Sequence, residues 1–332
     1  MSRLLVRVLL TTLAGALLWG LWLLADGGRP YLRSKEPVLL NIPRGTSTRQ
    51  IARRLEEAGV IRSRITFLSL HYWSRGETLK AGEYSFERPA STLEVLRKLN
   101  RGEIAYLTLV IPEGYNRFEI ADAVAALRFS TRQEFLNATQ DISLIADLAP
   151  QAKDLEGYLF PDTYHFPRRT RPEQIIRTML DRFRQVVAEL PSPAVRQPLP
   201  AIVTMASLAE KETALPEERP LVAAVFYNRL RRGILLQCDP TVIYAAILEN
   251  RYDGTIRQSN LRSPSPYNTY LHRGLPPGPI ANPGKSSLAA ALHPDAGDYL
   301  YFVANPDGGH TFSRTLAEHN RAVRSYRKTL DR

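Results

Sequence analysis

Apolar and polar positions divide the chain into three kinds of stretch. Val8 to Ala25 is eighteen residues without a charge, VLLTTLAGALLWGLWLLA. That is long enough to cross a bilayer and longer than the usual core of a signal peptide. Trp19 and Trp22 lie toward its far end, where interfacial aromatics collect. We read an uncleaved anchor over 8–25 behind a short cytoplasmic tail, 1–7, with a cleaved signal as the alternative. From residue 37 the pattern becomes short β-like runs alternating with helical ones. From Leu199 it becomes helical, with apolar runs opened by Pro198 and Pro200 and again near Pro220, and a stop at Gly233.

The middle region repeats itself. Ile42-Pro43-Arg44-Gly45 with Ile51-Ala52 matches Ile111-Pro112-Glu113-Gly114 with Ile120-Ala121 at an offset of 69. Phe67-Leu68 matches Phe135-Leu136 at 68, and Tyr84 and Phe86 match Tyr164 and Phe166 at 80. The longer offset reflects an insertion around Glu156-Gly157-Tyr158-Leu159-Phe160-Pro161 in the second copy. Each copy reads strand, turn, helix, helix, strand, helix. Thr46 or Ser47 is placed to cap the first helix of the first copy. Two copies suggest duplication, since solenoids need three or more units. Copy one is a spacer or a small carbohydrate-binding module. In copy two, Glu156 and Tyr158 suit sugar contact or simply a packed loop.

The helix read from Leu199 to about Thr213 carries Glu210. Its neighbours three and four positions away are Ala206, Ser207, Thr213 and Ala214, all small. Such a face leaves room for a bulky substrate, and apolar surroundings would raise the carboxyl pKa toward that of a general acid. A solvated surface glutamate is the competing reading. Glu212 is the rival carboxylate, about 200° round the helix. Glu217 and Glu218 read as charges at the start of the next helix. Beyond it lie Asn228, then Gln237 and Asp239 in a loop before Pro240, with Asp239 a candidate helix cap. A proline-rich segment follows, with Tyr267, Asn268, Thr269 and Tyr270 offering rings, amides and hydroxyls of the kind a polysaccharide groove uses. Tyr299 to Val303 reads as a buried strand, His310 and Phe312 as its return, and a helix from about Thr315 closes the chain.

Composition adds constraints. The chain has 332 residues and a formal charge of +11, so anionic partners are allowed. The basic residues are scattered and no nucleic-acid-binding signature is present, which argues against nucleic acid. The single cysteine, Cys238, excludes an internal disulfide and a multi-cysteine metal site. The histidines show no ligand spacing, so no metal is expected.

The runs ASLAEKET, VFYNRL, LQCDPTVIY, PYNTY, GLPPGPIANPG, YLYFV and GGHTF, with EGYLFPDTY and the N-terminal span, resemble the membrane-anchored endolytic murein transglycosylases (MltG or YceG-like). The likeness covers essentially the whole chain in the family's order. It implies an α+β protein: a transmembrane helix, a small LysM-like α/β module over 36–106, and a mixed α+β catalytic domain over 107–332. That domain would hold a second copy of the module, 107–182, and an active-site part, 199–332. The implied reaction cuts the glycan strand of peptidoglycan between N-acetylmuramic acid and N-acetylglucosamine in nascent strands, leaving a 1,6-anhydro end and terminating elongation. The family's catalytic glutamate falls on Glu210 by motif position. Asn228, Gln237, Asp239, Tyr267, Asn268, Thr269, Tyr270, Glu156 and Tyr158 are the candidate substrate contacts. No cofactor is implied. Glycan strands are the implied partner, with penicillin-binding proteins or the elongation machinery as further partners. The implied location is the bacterial cytoplasmic membrane, single-pass, with the catalytic domain on the periplasmic or outer side. Two other readings stay open: a two-carboxylate glycoside hydrolase pairing Glu210 with Asp239 or Glu218, and a non-catalytic wall-binding scaffold.

Overall fold

The structure, a computed structural model, describes residues 3–74, 76–192 and 194–330. Residues 1 and 2 of the expected N-terminal tail, and the last two residues of the expected catalytic domain, lie outside the described residues. The chain divides into two compact units, one of residues 1–107 with 165–169, the other of 108–164 with 170–332.

The first unit opens with α1 (Arg3–Gly28), of which Arg7–Gly28 is long and apolar enough to cross a membrane. Its outward leucines are exposed, as expected of a helix with no aqueous core to join. Next come β1 (Val38–Ile42), α2 (Thr48–Glu57), α3 (Arg64–Trp73), β2 (Gly82–Phe86) and α4 (Thr92–Arg101). β1 and β2 pair antiparallel, Val38 opposite Phe86 and Ile42 opposite Gly82. Ile51, Leu55, Phe67, Tyr84, Leu96 and Leu99 close one core between this ribbon and the helices. Local signals start the helices. Ser47 caps α2 in a reciprocal capping box with Gln50, and Ser91 does so for α4 with Glu94.

The same order recurs in β3 (Tyr106–Val110), α5 (Arg117–Ala126), α6 (Arg132–Ala138), β4 (Thr163–Pro167) and α7 (Pro172–Glu189), with β3 beside β4. Asn116 and Thr131 cap α5 and α6. The insertion anticipated in this copy runs between α6 and β4, and it carries the buried Glu156 and Tyr158.

The rest of the second unit is built on α8 (Leu199–Glu212), whose residues Ile202 to Ala209 are all buried. Around it lie α9 (Arg219–Arg231), α10 (Asp239–Leu248), a single turn α11 (Gln258–Leu261) and α12 (Lys285–Leu292). α12 packs closely on α8, although no periodicity had marked it. Its run SSLAAAL is short and small-residued, which suits close helix approach more than it announces a helix. The hairpin β5 (Tyr301–Ala304) and β6 (His310–Ser313) packs on α13 (Leu316–Leu330). β5 is half-buried throughout, not buried as its apolar run suggests, because it belongs to a two-stranded ribbon.

Candidate active site

The two glutamates near the end of α8 have different surroundings. The Glu210 carboxylate is closed in. Oε1 accepts from Arg219 Nη2 at 2.7 Å and Oε2 from the Gly284 amide at 3.0 Å. The two side chains of that ion pair are only 4% and 6% exposed. Arg219 also donates to Glu113 Oε2 at 3.1 Å, so one guanidinium links two carboxylates. Backbone also approaches the Glu210 stem: a Cβ on Gly114 would stand 3.3 Å from Glu210 Cγ. Burial outweighs the pull of the Gly284 amide and Arg219, so the Glu210 carboxyl, like that of Glu212, is held above its usual pKa.

Glu212, at the last position of α8, opens onto a cavity of about 300 Å³. Gln237, Asp239 and Tyr270 line it, with Arg229, Leu236, Phe302 and His319. Its carboxylate is in no ion pair among the described residues. Burial pushes its pKa up to about 7, Asp239 adds to the rise, and the Cys238 thiol, His310 and Arg229 oppose it. A carboxyl poised near neutrality beside an open cavity is suited to giving and taking one proton.

The lining is held from behind. Arg229 donates to the Leu300, Leu235 and Leu236 carbonyls and lies 5.2 Å from the Tyr301 ring centre, so its charge is fixed at the cavity wall. Asp239 does not cap α10; that position is Cys238. Instead its Oδ1 accepts from the Tyr270 hydroxyl at 2.5 Å. Gln237 has a φ of +51°, an uncommon left-handed conformation for a non-glycine residue, and its amide is held by the Thr269 carbonyl. Glu218 is not merely a helix-start charge. It accepts from the His310 amide at 2.7 Å and from the Thr213 hydroxyl at 3.0 Å, tying β6 to the end of α8.

The remaining candidates separate. Asn228 is buried and bonds the Gly297 and Tyr299 carbonyls. Asn268 bonds the Leu261 and Ser263 carbonyls, and the Thr269 hydroxyl bonds Thr241 and the Cys238 amide. These three shape the loops that carry the cavity lining. Glu156, Tyr158 and Tyr267 line a second cavity, of about 590 Å³, near the start of α8. Glu156 is fully enclosed. It accepts from the Arg117 amide, the Asn282 side chain and the Tyr244 hydroxyl, yet burial outweighs these donors and pushes its pKa to about 8. Asn282 also bonds the Tyr115 carbonyl and the Leu159 amide, so Glu156 pins the loop before α12 to the inserted segment. Arg229 and His319 were not expected at the site. Arg229 directly follows the candidate Asn228, but His319 is far along the chain and carries no motif. No group of three or more candidate metal ligands occurs among the described residues.

The YceG-like family profile matches residues 40–325. The chain is 36% identical over 332 residues to a Bacillus subtilis protein named endolytic murein transglycosylase, covering 95% of this chain and 91% of that one. A Streptococcus pneumoniae protein of the same name is 32% identical, over 87% of this chain and 58% of its own length. A crystal structure of a yceG-like protein from Listeria monocytogenes superposes with a TM-score of 0.56 at 36% identity, over 87% of this chain and 99% of that one. With the match spanning both structural units and the motif-bearing loops of the cavity, the chain belongs to the YceG-like family.

Proposed function

We propose that the protein is an endolytic peptidoglycan lytic transglycosylase whose acid/base is Glu212. The observation that carries this assignment is a carboxyl without an ion pair, with a pKa near 7, on a cavity shared with Gln237, Asp239 and Tyr270. Glu210, the position indicated by motif, is the competing assignment; its ion pair with Arg219 suits support of the α8 terminus better than proton exchange.

The reaction cleaves the bond between N-acetylmuramic acid and N-acetylglucosamine. Protonated Glu212 gives its proton to the glycosidic oxygen as the bond to C1 breaks. The resulting carboxylate takes the proton from the C6 hydroxyl of the muramic sugar as that oxygen closes on C1. The carboxyl ends protonated, and the product carries a 1,6-anhydro ring. One carboxyl suffices because the nucleophile is part of the substrate and already near C1, whereas hydrolases need two. Arg229 favours the carboxylate form between the two transfers. The Asp239–Tyr270 pair and Gln237 are placed to hydrogen-bond sugar hydroxyls.

The rest follows the same reading. The residues over 36–106 and 107–182 are LysM-like modules, the first a glycan-holding element before the catalytic part. α1 is a single-pass anchor in the bacterial cytoplasmic membrane, with the catalytic domain on the outer face, where nascent strands emerge. Penicillin-binding proteins of the elongation machinery are the proposed protein partners.

Digestion of purified peptidoglycan by the detergent-solubilised chain, analysed by mass spectrometry, tests this. Wild type yields anhydro-ended fragments and Glu212→Gln lowers their rate about 10²–10⁴-fold, the usual worth of a general acid/base. Loss of activity in a folded Glu210→Gln with Glu212→Gln still active would move the role to Glu210. Fragments heavier by one water would make the protein a hydrolase using a second carboxylate.

A further inference from the structure

The last turns of α1 are packed against the first unit. Leu23 is only 3% exposed, while its neighbours Trp22 and Leu24 are 46% and 72% exposed. One turn on, a Cβ on Gly27 would stand 2.9 Å from Leu70 Cδ1 of α3, and Asp26 accepts from the Thr66 hydroxyl at 2.6 Å. Leu23 lies two residues before Ala25, where the uncharged span ends, about 3 Å inside it at about 1.5 Å per residue. Whatever buries Leu23 therefore stands level with the edge of the bilayer that the span would occupy.

α3 also exposes large apolar side chains: Ile65 at 57%, Tyr72 at 68% and Trp73 at 79%. At 100° per residue, Ile65 and Tyr72 share one stripe, and Trp73 falls between it and the stripe of Thr66 and Leu70 that faces α1. Exposed aromatics of this kind favour the headgroup region, where one side is apolar and the other wet. Arg29, Arg33 and Lys35, just past the span, are exposed, as are Arg62 and Arg64 at the start of α3, which pair with Asp26 and Glu56. We infer that the exposed face of α3, led by Trp73 and Tyr72, seats the first unit in the surface of the bilayer, against anionic phospholipid headgroups. The inference rests on the anchor reading of α1. It adds a second membrane contact that would fix the unit's orientation on the membrane, where a lone span would leave it to swivel.

The chain's three tryptophans allow the two ideas to be separated. In full-length protein reconstituted in nanodiscs, Trp19→Phe with Trp22→Phe leaves Trp73 as the sole reporter, and Trp73→Phe leaves the pair in the span. Lipids brominated near the headgroup end of the acyl chain should quench Trp73 at least twofold. Quenched span tryptophans with an unquenched Trp73 would overturn the inference while keeping the anchor. No quenching of either would remove the anchor and the inference together. Trp73 shielded from aqueous iodide yet untouched by bromine would give the face to a second copy of the chain, and also overturn it.

Discussion

Arg219 and Glu210 show what one buried contact commits the fold to. Neither charge has water to return to: without Arg219, Glu210 keeps only the Gly284 amide, whereas without Glu210, Arg219 keeps Glu113. Arg219→Met is expected to cost about 3–5 kcal/mol in denaturant unfolding. Glu210→Gln should cost less, since its neutral amide still accepts from Gly284. Glu156 makes a pH-dependent contribution. Its folded pKa is raised to about 8, so the folded state holds a proton that the unfolded chain releases near 4.5. Stability from this group is complete below about pH 4.5 and is lost as pH rises toward 8. Glu156→Gln mimics the protonated form, so its Tm relative to wild type should climb across that window; a constant difference would show that Glu156 folds as a carboxylate. Glu212 makes the matching prediction for activity. As the proposed acid, with a pKa near 7, it should let kcat/KM fall tenfold per pH unit above neutrality in a pH–rate profile.

At the scale of elements, the inserted segment fixes the site through close backbone contact. Gly157 has φ of +88°, and a Cβ there would meet Pro279 at 2.4 Å and Val203 of α8 at 2.9 Å. Gly157→Ala should therefore cost about 2 kcal/mol or more, from left-handed strain plus a clash that neither a proline ring nor a buried helix can relieve cheaply. A cost below about 0.5 kcal/mol in chemical denaturation would mean that the segment is not seated on α8. The order of strands and helices within each repeat, and the starts of α8 and α9, were readable because they depend on local signals: capping serines, prolines at first turns and alternating apolar positions. What local pattern could not show was which side of α8 is open. Small neighbours favoured Glu210 in the sequence, but the approach of Gly114, Gly284 and Arg219, each remote from or folded back on the helix, closes its carboxylate in.

At the scale of the whole molecule, basic residues number 44 against 33 acidic, and of the basic ones only Arg229, among the described residues, lines the candidate cavity. The charge acts collectively, drawing an acidic polymer toward the protein without choosing which bond is cut. Such attraction is shared equally by bound substrate and transition state, so it lowers KM and leaves kcat alone. It is also screened, with a Debye length that shrinks from about 10 Å at 0.1 M salt to about 3 Å at 1 M. Turnover on peptidoglycan carrying its stem-peptide carboxylates should show KM rising several-fold between 50 mM and 500 mM salt, with kcat nearly constant. On glycan strands stripped of their peptides, which lose most of that charge, the salt dependence should shrink. An equal response on both substrates would place the effect of salt on the protein itself, and the positive charge would then have no part in capturing the strand.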